Sequence, residues 1–223
     1  MTDEIVLHHV PGARSLRILW LLKEMGLDPR IETYSIPDGS LRTPDFLSRS
    51  PAGRVPALEI DGKVIYESGA ITEYLCESRP EAGLGREPGH PERIAFLEAM
   101  HYAETMAHLV AGLNLQWIFL RDPKDRSDTV CKIEARRLAA TMAPMETLLG
   151  QQDWVLPLGF SAADTMLGWN FLATPKYVRM DKFPNLAAYV ERFKARPAFK
   201  AAKEVDGKRQ FGDENAFYSV ETA

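Results

Sequence analysis

Apolar positions change their period along the chain, and the changes mark the elements. Ile5-Val6-Leu7 is a short continuous apolar run, read as a buried first strand that His8-His9-Val10-Pro11-Gly12 breaks. From Arg14 to Met25, Leu16, Leu19, Trp20 and Leu22 share one helical face, and Gly26 stands where a left-handed closing residue belongs. Ile31-Glu32-Thr33-Tyr34 alternates as a second strand. Strand, helix, strand in this order predicts a right-handed crossover onto a parallel pair. Residues 37–51 are polar and interrupted by proline and glycine, an irregular stretch with one short helix. Ala57, Leu58 and Ile60 then form a strand, Asp61-Gly62 a hairpin turn, Val64-Ile65 the return strand, and residues 70–75 a helix.

Residues 80–92, with Gly83, Gly85, Pro88 and Gly89, read as a linker between a domain spanning 1–79 and one spanning 93–223. Beyond it strand signals all but vanish. Residues 93–120 carry one helical pattern, about 40 Å long at the usual rise. Ser127 or Asp128 caps a second helix that reaches Leu149-Gly150, with a kink expected at Pro144. Ser161-Ala162-Ala163-Asp164 opens a third in a capping-box arrangement. Phe183-Pro184 starts a helix through Tyr189 and Phe193 that Arg196-Pro197 ends, and the closing dozen residues show no clear period. The fold class is α/β plus all-α: β-α-β followed by β-β-α, the thioredoxin-like order, then a helical bundle.

With 223 residues there is ample chain to bury a core, and a composition 45% hydrophobic and 26% charged is ordinary for a globular protein. A net charge of −4 speaks against nucleic acid or an anionic membrane as partner. No apolar run approaches a membrane span, and Met1-Thr2-Asp3-Glu4 lacks the basic start of a signal peptide, so the expected location is cytoplasmic. The two cysteines, Cys76 and Cys131, lie far apart without a Cys-x-x-Cys, which excludes a thioredoxin-type dithiol and a cysteine-based zinc site. Both read as small core residues.

The chemistry gathers around Arg49-Ser50-Pro51-Ala52-Gly53-Arg54-Val55-Pro56 and Glu67-Ser68-Gly69. A proline opening a strand leaves the preceding residue's backbone groups available to an extended peptide. A serine at a helix N-terminus joins a positive dipole end and unpaired N–H groups, which suit a carboxylate. Val55-Pro56 with Glu67-Ser68 resembles the glutathione site of the cytosolic glutathione transferases. In that family the residue before a cis-proline pairs with the cysteinyl backbone of glutathione, and the acid-serine pair grips its γ-glutamyl end. The resemblance extends over essentially the whole chain. It implies conjugation of glutathione, as co-substrate, to a hydrophobic electrophile by a detoxifying homodimer without metal.

Glutathione must react as its thiolate, and a hydroxyl donor with a helix N-terminus stabilises that anion. Pro11-Gly12-Ala13-Arg14-Ser15-Leu16-Arg17 lies at the matching junction. It resembles Pro-Gly-Ala-Cys-Ser-Leu of the bacterial beta class, with Arg14 in the cysteine's place. It is also similar to the Ser-Arg-Ser-x-Arg of another bacterial and fungal group, with Ala13 for the first serine. Ser15 thus becomes the candidate catalytic hydroxyl, and an N-cap role for it stands beside that reading. Arg14 adds positive charge or is simply solvated, Arg17 reads as a structural ion-pair partner, and His9 as structural. The family pattern further assigns Arg54, Val55, Pro56, Glu67 and Ser68 to substrate binding.

On the long helix His101, Glu104, Thr105, His108 and Gly112 form one polar stripe, either a solvent face or the wall of a cleft or interface. His101-Tyr102-Ala103-Glu104 resembles a signature of the same bacterial and fungal group, and Glu104 is the expected acid for the γ-glutamyl ammonium across a dimer. No third ligand accompanies the His-x-x-Glu, so no metal is expected. Tyr102, Met106, Leu109 and Trp117 are pocket candidates, with core packing the alternative for each. Two other readings remain open: glutathione-dependent reduction of a disulfide or peroxide, and a non-catalytic binding protein on the same fold.

Overall fold

Four short strands, β1 (Val6–His9), β2 (Arg30–Thr33), β3 (Ala57–Ile60) and β4 (Lys63–Tyr66), form one sheet in the order β2-β1-β3-β4. The coordinates are a computed structural model describing residues 4–209, 211–213 and 216–218. β1 lies parallel to β2 and antiparallel to β3, and β3 is antiparallel to β4. The parallel pair needs a crossover, which α1 (Ser15–Glu24) supplies. Its residues Ser15 through Leu22 are all buried. Gly26 ends it at φ +70°, with the Leu27 N–H reaching the Leu22 carbonyl at 2.9 Å, the six-to-one bond of a Schellman close. The β3–β4 turn has Asp61 at φ +53° and Gly62 at φ +68°, the double left-handed conformation of a tight hairpin. Helices α2 (Pro44–Arg49) and α3 (Ser68–Ser78) complete a thioredoxin-like arrangement.

A mainly helical region follows, with α4 (Arg93–Asn114), α5 (Asp128–Leu149), α6 (Ala162–Ala173) and α7 (Pro184–Lys194). The helical periodicity predicted to reach residue 120 stops earlier: after Asn114 the backbone widens into a π-turn over Leu115–Phe119. Pro144 sits inside α5, which runs on through it to Leu149. Ser127 accepts the Val130 N–H at 3.3 Å and caps α5. At α6 the reciprocal capping box forms, and Asp164 also receives the Val155 N–H at 3.0 Å and the Tyr189 hydroxyl at 2.9 Å.

α7 ends at Lys194, just before Arg196-Pro197 as read from sequence, and Pro197 in addition occupies the first turn of a further helix, α8 (Pro197–Asp206), where its missing N–H costs nothing. The chain gathers into two compact units: one runs to Arg93 and resumes at Lys194–Phe211, and the other comprises Ile94–Phe193 with the residues from Gly212. Within the first unit α8 packs on α1: Phe199 meets Trp20 edge-on with ring centres 4.9 Å apart, and Arg196 forks onto Glu24 with both bonds at 2.7 Å. Met1, Thr2 and Asp3, read for targeting, lie outside the described residues, as does most of the closing stretch. Of that stretch Tyr218 stacks between Trp117 and Tyr177.

Candidate active site

The strand pairing brings three loops to one end of the sheet. His8 lies opposite Ala57, and Ala57 opposite Tyr66, so the end of β1, the start of β3 and the end of β4 are neighbours. Val10–Ser15, Val55-Pro56 and Glu67-Ser68 emerge together there. Both α1 and α3 present their N-termini to that end, so two positive dipole ends converge on it.

The Val55–Pro56 bond is cis. Its approach is fixed by Ser50, a buried residue whose Oγ donates to the Arg54 carbonyl at 2.7 Å and accepts the Arg54 N–H at 3.4 Å. Gly53 makes the turn at φ +61°, where a Cβ would fall 2.6 Å from Arg42 Nη1 and 2.8 Å from the Leu41 carbonyl oxygen. Along this stretch the Arg54 residue is exposed, Val55 half-buried and Pro56 buried.

Glu67 precedes α3 at φ +70°, ψ 119°, a conformation non-glycine residues rarely hold, and it is exposed. Strained backbone of this kind collects at functional positions. Ser68 opens the helix and is buried, and its Oγ accepts a hydrogen bond from Arg17 Nη1 at 3.1 Å. Arg17 is itself 0% exposed.

Ser15 is the first residue of α1, and Arg14, half-buried, takes the N-cap position in its place. The Ser15 hydroxyl is fully buried, accepting the Val10 N–H at 3.2 Å and facing the Val10 carbonyl at 3.4 Å. It therefore closes the β1–α1 loop on itself. From the other side of that loop Asp206 Oδ1 accepts the Gly12 N–H at 3.0 Å and lies 3.3 Å from His9 Nε2, while Lys203 pairs with its second oxygen. Burial pushes the Asp206 carboxyl up, but the bonds from His9, Lys203 and Gly12 outweigh it and hold it below the usual range. His8 faces the opposite side of the sheet, between the Tyr34 hydroxyl at 2.9 Å and Glu59 at 2.8 Å. Burial lowers its pKa, against the pull of Glu59.

Glu104 lies on α4 in the second unit, half-buried, flanked by exposed His101, Thr105 and His108. Of the pocket candidates, Met106 and Leu109 are core residues and Tyr102 donates to the Thr141 carbonyl at 2.7 Å. Trp117 is sandwiched between Tyr218, 5.0 Å away, and the Arg126 guanidinium, 3.8 Å away. Among the described residues no three His, Cys, Asp or Glu side chains gather as a metal site, and no helix is long and apolar enough to cross a membrane. Both cysteines are buried, and desolvation pushes the Cys76 thiol up to about 12. Neither protein thiol is set up as a nucleophile.

Three features of this site escape sequence reasoning: the Arg17–Ser68 bond, the Asp206 brace and the backbone of Glu67. Only the first leaves a sequence signal, a cation within a helix that is apolar on every side.

Comparison with known proteins decides the family. Residues 4–77 match the model described as glutathione S-transferase, N-terminal domain, and residues 114–204 match that described as glutathione S-transferase, C-terminal domain. The chain belongs to the glutathione S-transferase family. The family's shared reaction joins the sulfur of glutathione to an electrophile. Relatives of this transferase include protein LigF of Sphingobium sp., 29% identical over 85% of this chain and 89% of its own length. Another is the maleylacetoacetate isomerase of Pseudomonas aeruginosa, 30% identical over 74% of this chain and 77% of its own. Among solved structures, a sphingomonad glutathione S-transferase complexed with glutathione superposes with a TM-score of 0.79 at 28% identity, covering 91% of this transferase and 98% of that chain.

Proposed function

We propose that this transferase binds glutathione across the shared sheet end of its first unit and conjugates the thiolate to a hydrophobic electrophile. The Val55 backbone pairs with the cysteinyl residue, and the α3 N-terminus with Ser68 takes the γ-glutamyl carboxylate. Glu67 faces the γ-glutamyl ammonium, and Arg54 lies beside the tripeptide. The observation that carries this reading is the convergence of Val55-Pro56, Glu67-Ser68 and the β1–α1 loop at one end of the sheet. At the sulfur we assign the stabilising charge to the α1 N-terminus and Arg14. Ser15, the candidate drawn from sequence, is turned onto Val10 and serves to shape the loop that the sulfur approaches.

We also infer a cytoplasmic homodimer in which Glu104 meets the γ-glutamyl ammonium of the partner's site. Apolar side chains on β4 and α5 support self-association: Val64 is 51%, Tyr66 46% and Ile133 49% exposed. Free, buried cysteines suit a reducing compartment. The test is titration calorimetry of glutathione against the wild type and Ser68→Ala. A charge-assisted bond is worth about 1.5–3 kcal/mol, so the variant loses about tenfold or more in affinity. Equal affinity in the two proteins removes Ser68 from the site.

A further inference from the structure

Most of the β1–α1 loop is tied to itself. The Val10 N–H meets the Ser15 hydroxyl, and the Ala13 N–H meets the Val10 carbonyl at 3.0 Å. Pro11 has no N–H to place. The Gly12 N–H goes elsewhere, to Oδ1 of Asp206, the last residue of α8 and 194 positions away.

Asp206 is itself held on several sides. It is 1% exposed, its own carbonyl accepts His9 Nε2 at 3.2 Å, and Lys203, one turn earlier on α8, pairs with its second oxygen. His9 ends β1 and is equally buried, so the carboxylate is tied to the sheet as well as to the loop. The pairing with Lys203 offsets a negative charge that would otherwise oppose an anion bound at this loop. The chain beyond α8 keeps to the same place. Gly207 turns at φ +76°, with Pro11 Cγ 4.0 Å from where its Cβ would stand, and the Arg209 stem crosses Gly12, where a Cβ would fall 2.9 Å from Arg209 Cγ. Gly12 is thus hemmed both by its own φ of +75° and by that stem.

We propose that Asp206 is a positioning residue for the sulfur of glutathione: through the Gly12 N–H it fixes the loop that presents Arg14 and the first N–H groups of α1 to the thiolate. Those N–H groups have no acceptor within the helix, so their aim is set by where the loop lies. A misplacement of about 1 Å in such a support costs on the order of a hundredfold in rate. The inference rests on the glutathione reading above and on its assignment of the sulfur to this helix end. Asp206 lies beyond both regions matched by the family models, residues 4–77 and 114–204, so the match does not assign it this role.

The test uses the full chain and two readouts: thiolate absorbance of bound glutathione against pH, and calorimetric affinity for S-methylglutathione, whose sulfur cannot ionise. The wild type holds the thiol midpoint below that of free glutathione. In Asp206→Ala the midpoint rises by about one pH unit, a tenfold loss of preference for the thiolate, while affinity for S-methylglutathione is retained. Asp206→Asn keeps an oxygen that accepts the Gly12 N–H, and its midpoint returns most of the way to the wild-type value. Should Asp206→Ala fail to fold, Asp206→Glu decides, because it keeps the charge but pushes the acceptor out by one methylene. A raised midpoint there supports the proposal and a wild-type midpoint overturns it.

An unmoved midpoint in Asp206→Ala overturns the proposal while leaving the glutathione reading in place. A raised midpoint accompanied by loss of S-methylglutathione binding marks a merely structural residue and also overturns it. So does an asparagine variant that titrates like the alanine one, since the Gly12 bond is then not what matters. A wild type that binds S-methylglutathione without lowering the thiol midpoint of glutathione overturns the sulfur assignment and the proposal with it. One that binds neither ligand overturns the glutathione reading as a whole.

Discussion

Removing one oxygen acceptor from the floor of the helical unit tests the energetics most sharply. Asp164 is buried, and its carboxylate faces four donors: the Val155 N–H at 3.0 Å and Tyr189 hydroxyl at 2.9 Å on one oxygen, the Ser161 N–H at 2.8 Å and Ser161 hydroxyl at 3.3 Å on the other. In Asp164→Asn the new amide can meet either hydroxyl, which rotates to accept, but it cannot meet a backbone N–H. Whichever way the amide turns, one buried N–H loses its partner, at about 1–3 kcal/mol. A second effect depends on pH. Desolvation pushes the Asp164 pKa up to about 6, over the opposition of the hydrogen bonds from Val155, Ser161 and Tyr189. An unfolded aspartate titrates near 3.9, so the stabilisation tied to Asp164 is full below that value and is lost as pH rises through 6. The loss is about 3 kcal/mol at 1.36 kcal/mol per unit. Urea unfolding of wild type and Asp164→Asn, followed by circular dichroism between pH 4 and 7.5, isolates that term as a difference. The wild-type advantage must shrink as pH rises. An advantage that grows over the same range shows that the four donors, rather than desolvation, set the charge state, and refutes the reasoning.

Glu67→Gly separates backbone strain from ligand binding. Glycine holds φ +70° without the roughly 1–3 kcal/mol cost borne by other residues, so the melting temperature rises by a few degrees while glutathione affinity falls; a lower melting temperature refutes the strain assignment. Thiolate absorbance of bound glutathione against pH distinguishes the sulfur's partners. Arg14→Ala shifts the titration upward, and Ser15→Ala leaves it in place; the opposite pattern returns the role to the Ser15 hydroxyl. Equilibrium sedimentation at micromolar concentration yields a dimer, and a lone monomer there removes the role of Glu104 across an interface.

Much of the fold is legible because its signals are local. Asp61-Gly62 between two short apolar runs specifies a hairpin, and both residues adopt the predicted left-handed turn. Ser161 and Asp164 are three apart and cap one helix reciprocally. The Val55-Pro56 and Glu67-Ser68 pairs are legible because each needs a particular residue at a particular junction. What escaped was either long-range or ambiguous. Arg17 and Ser68 come together only after the crossover folds, and Asp206 reaches Gly12 from 194 positions away. Arg196-Pro197 is ambiguous in one dimension, since a proline that ends one helix equally well opens the next. The π-turn at Leu115–Phe119 leaves no mark in the apolar period. Ser15 reads as a cap or a catalyst because a sequence cannot show that Arg14 takes the N-cap position and that the Ser15 hydroxyl meets the Val10 backbone.

The return of α8 to the first unit carries a consequence for synthesis. Its Asp206 braces the Gly12 loop, and its Phe199 and Arg196 cover Trp20 and Glu24. In chain order the helical unit is therefore an insertion within the first unit, whose last piece leaves the ribosome only after the helical unit has been made. A nascent chain halted after Arg93 holds every strand of the sheet yet lacks the part that covers one side of α1 and steadies the loop. Assembly of the frame around the candidate site thereby waits for the helical unit to be synthesised, and a product truncated before α8 carries the motifs without the frame that holds them.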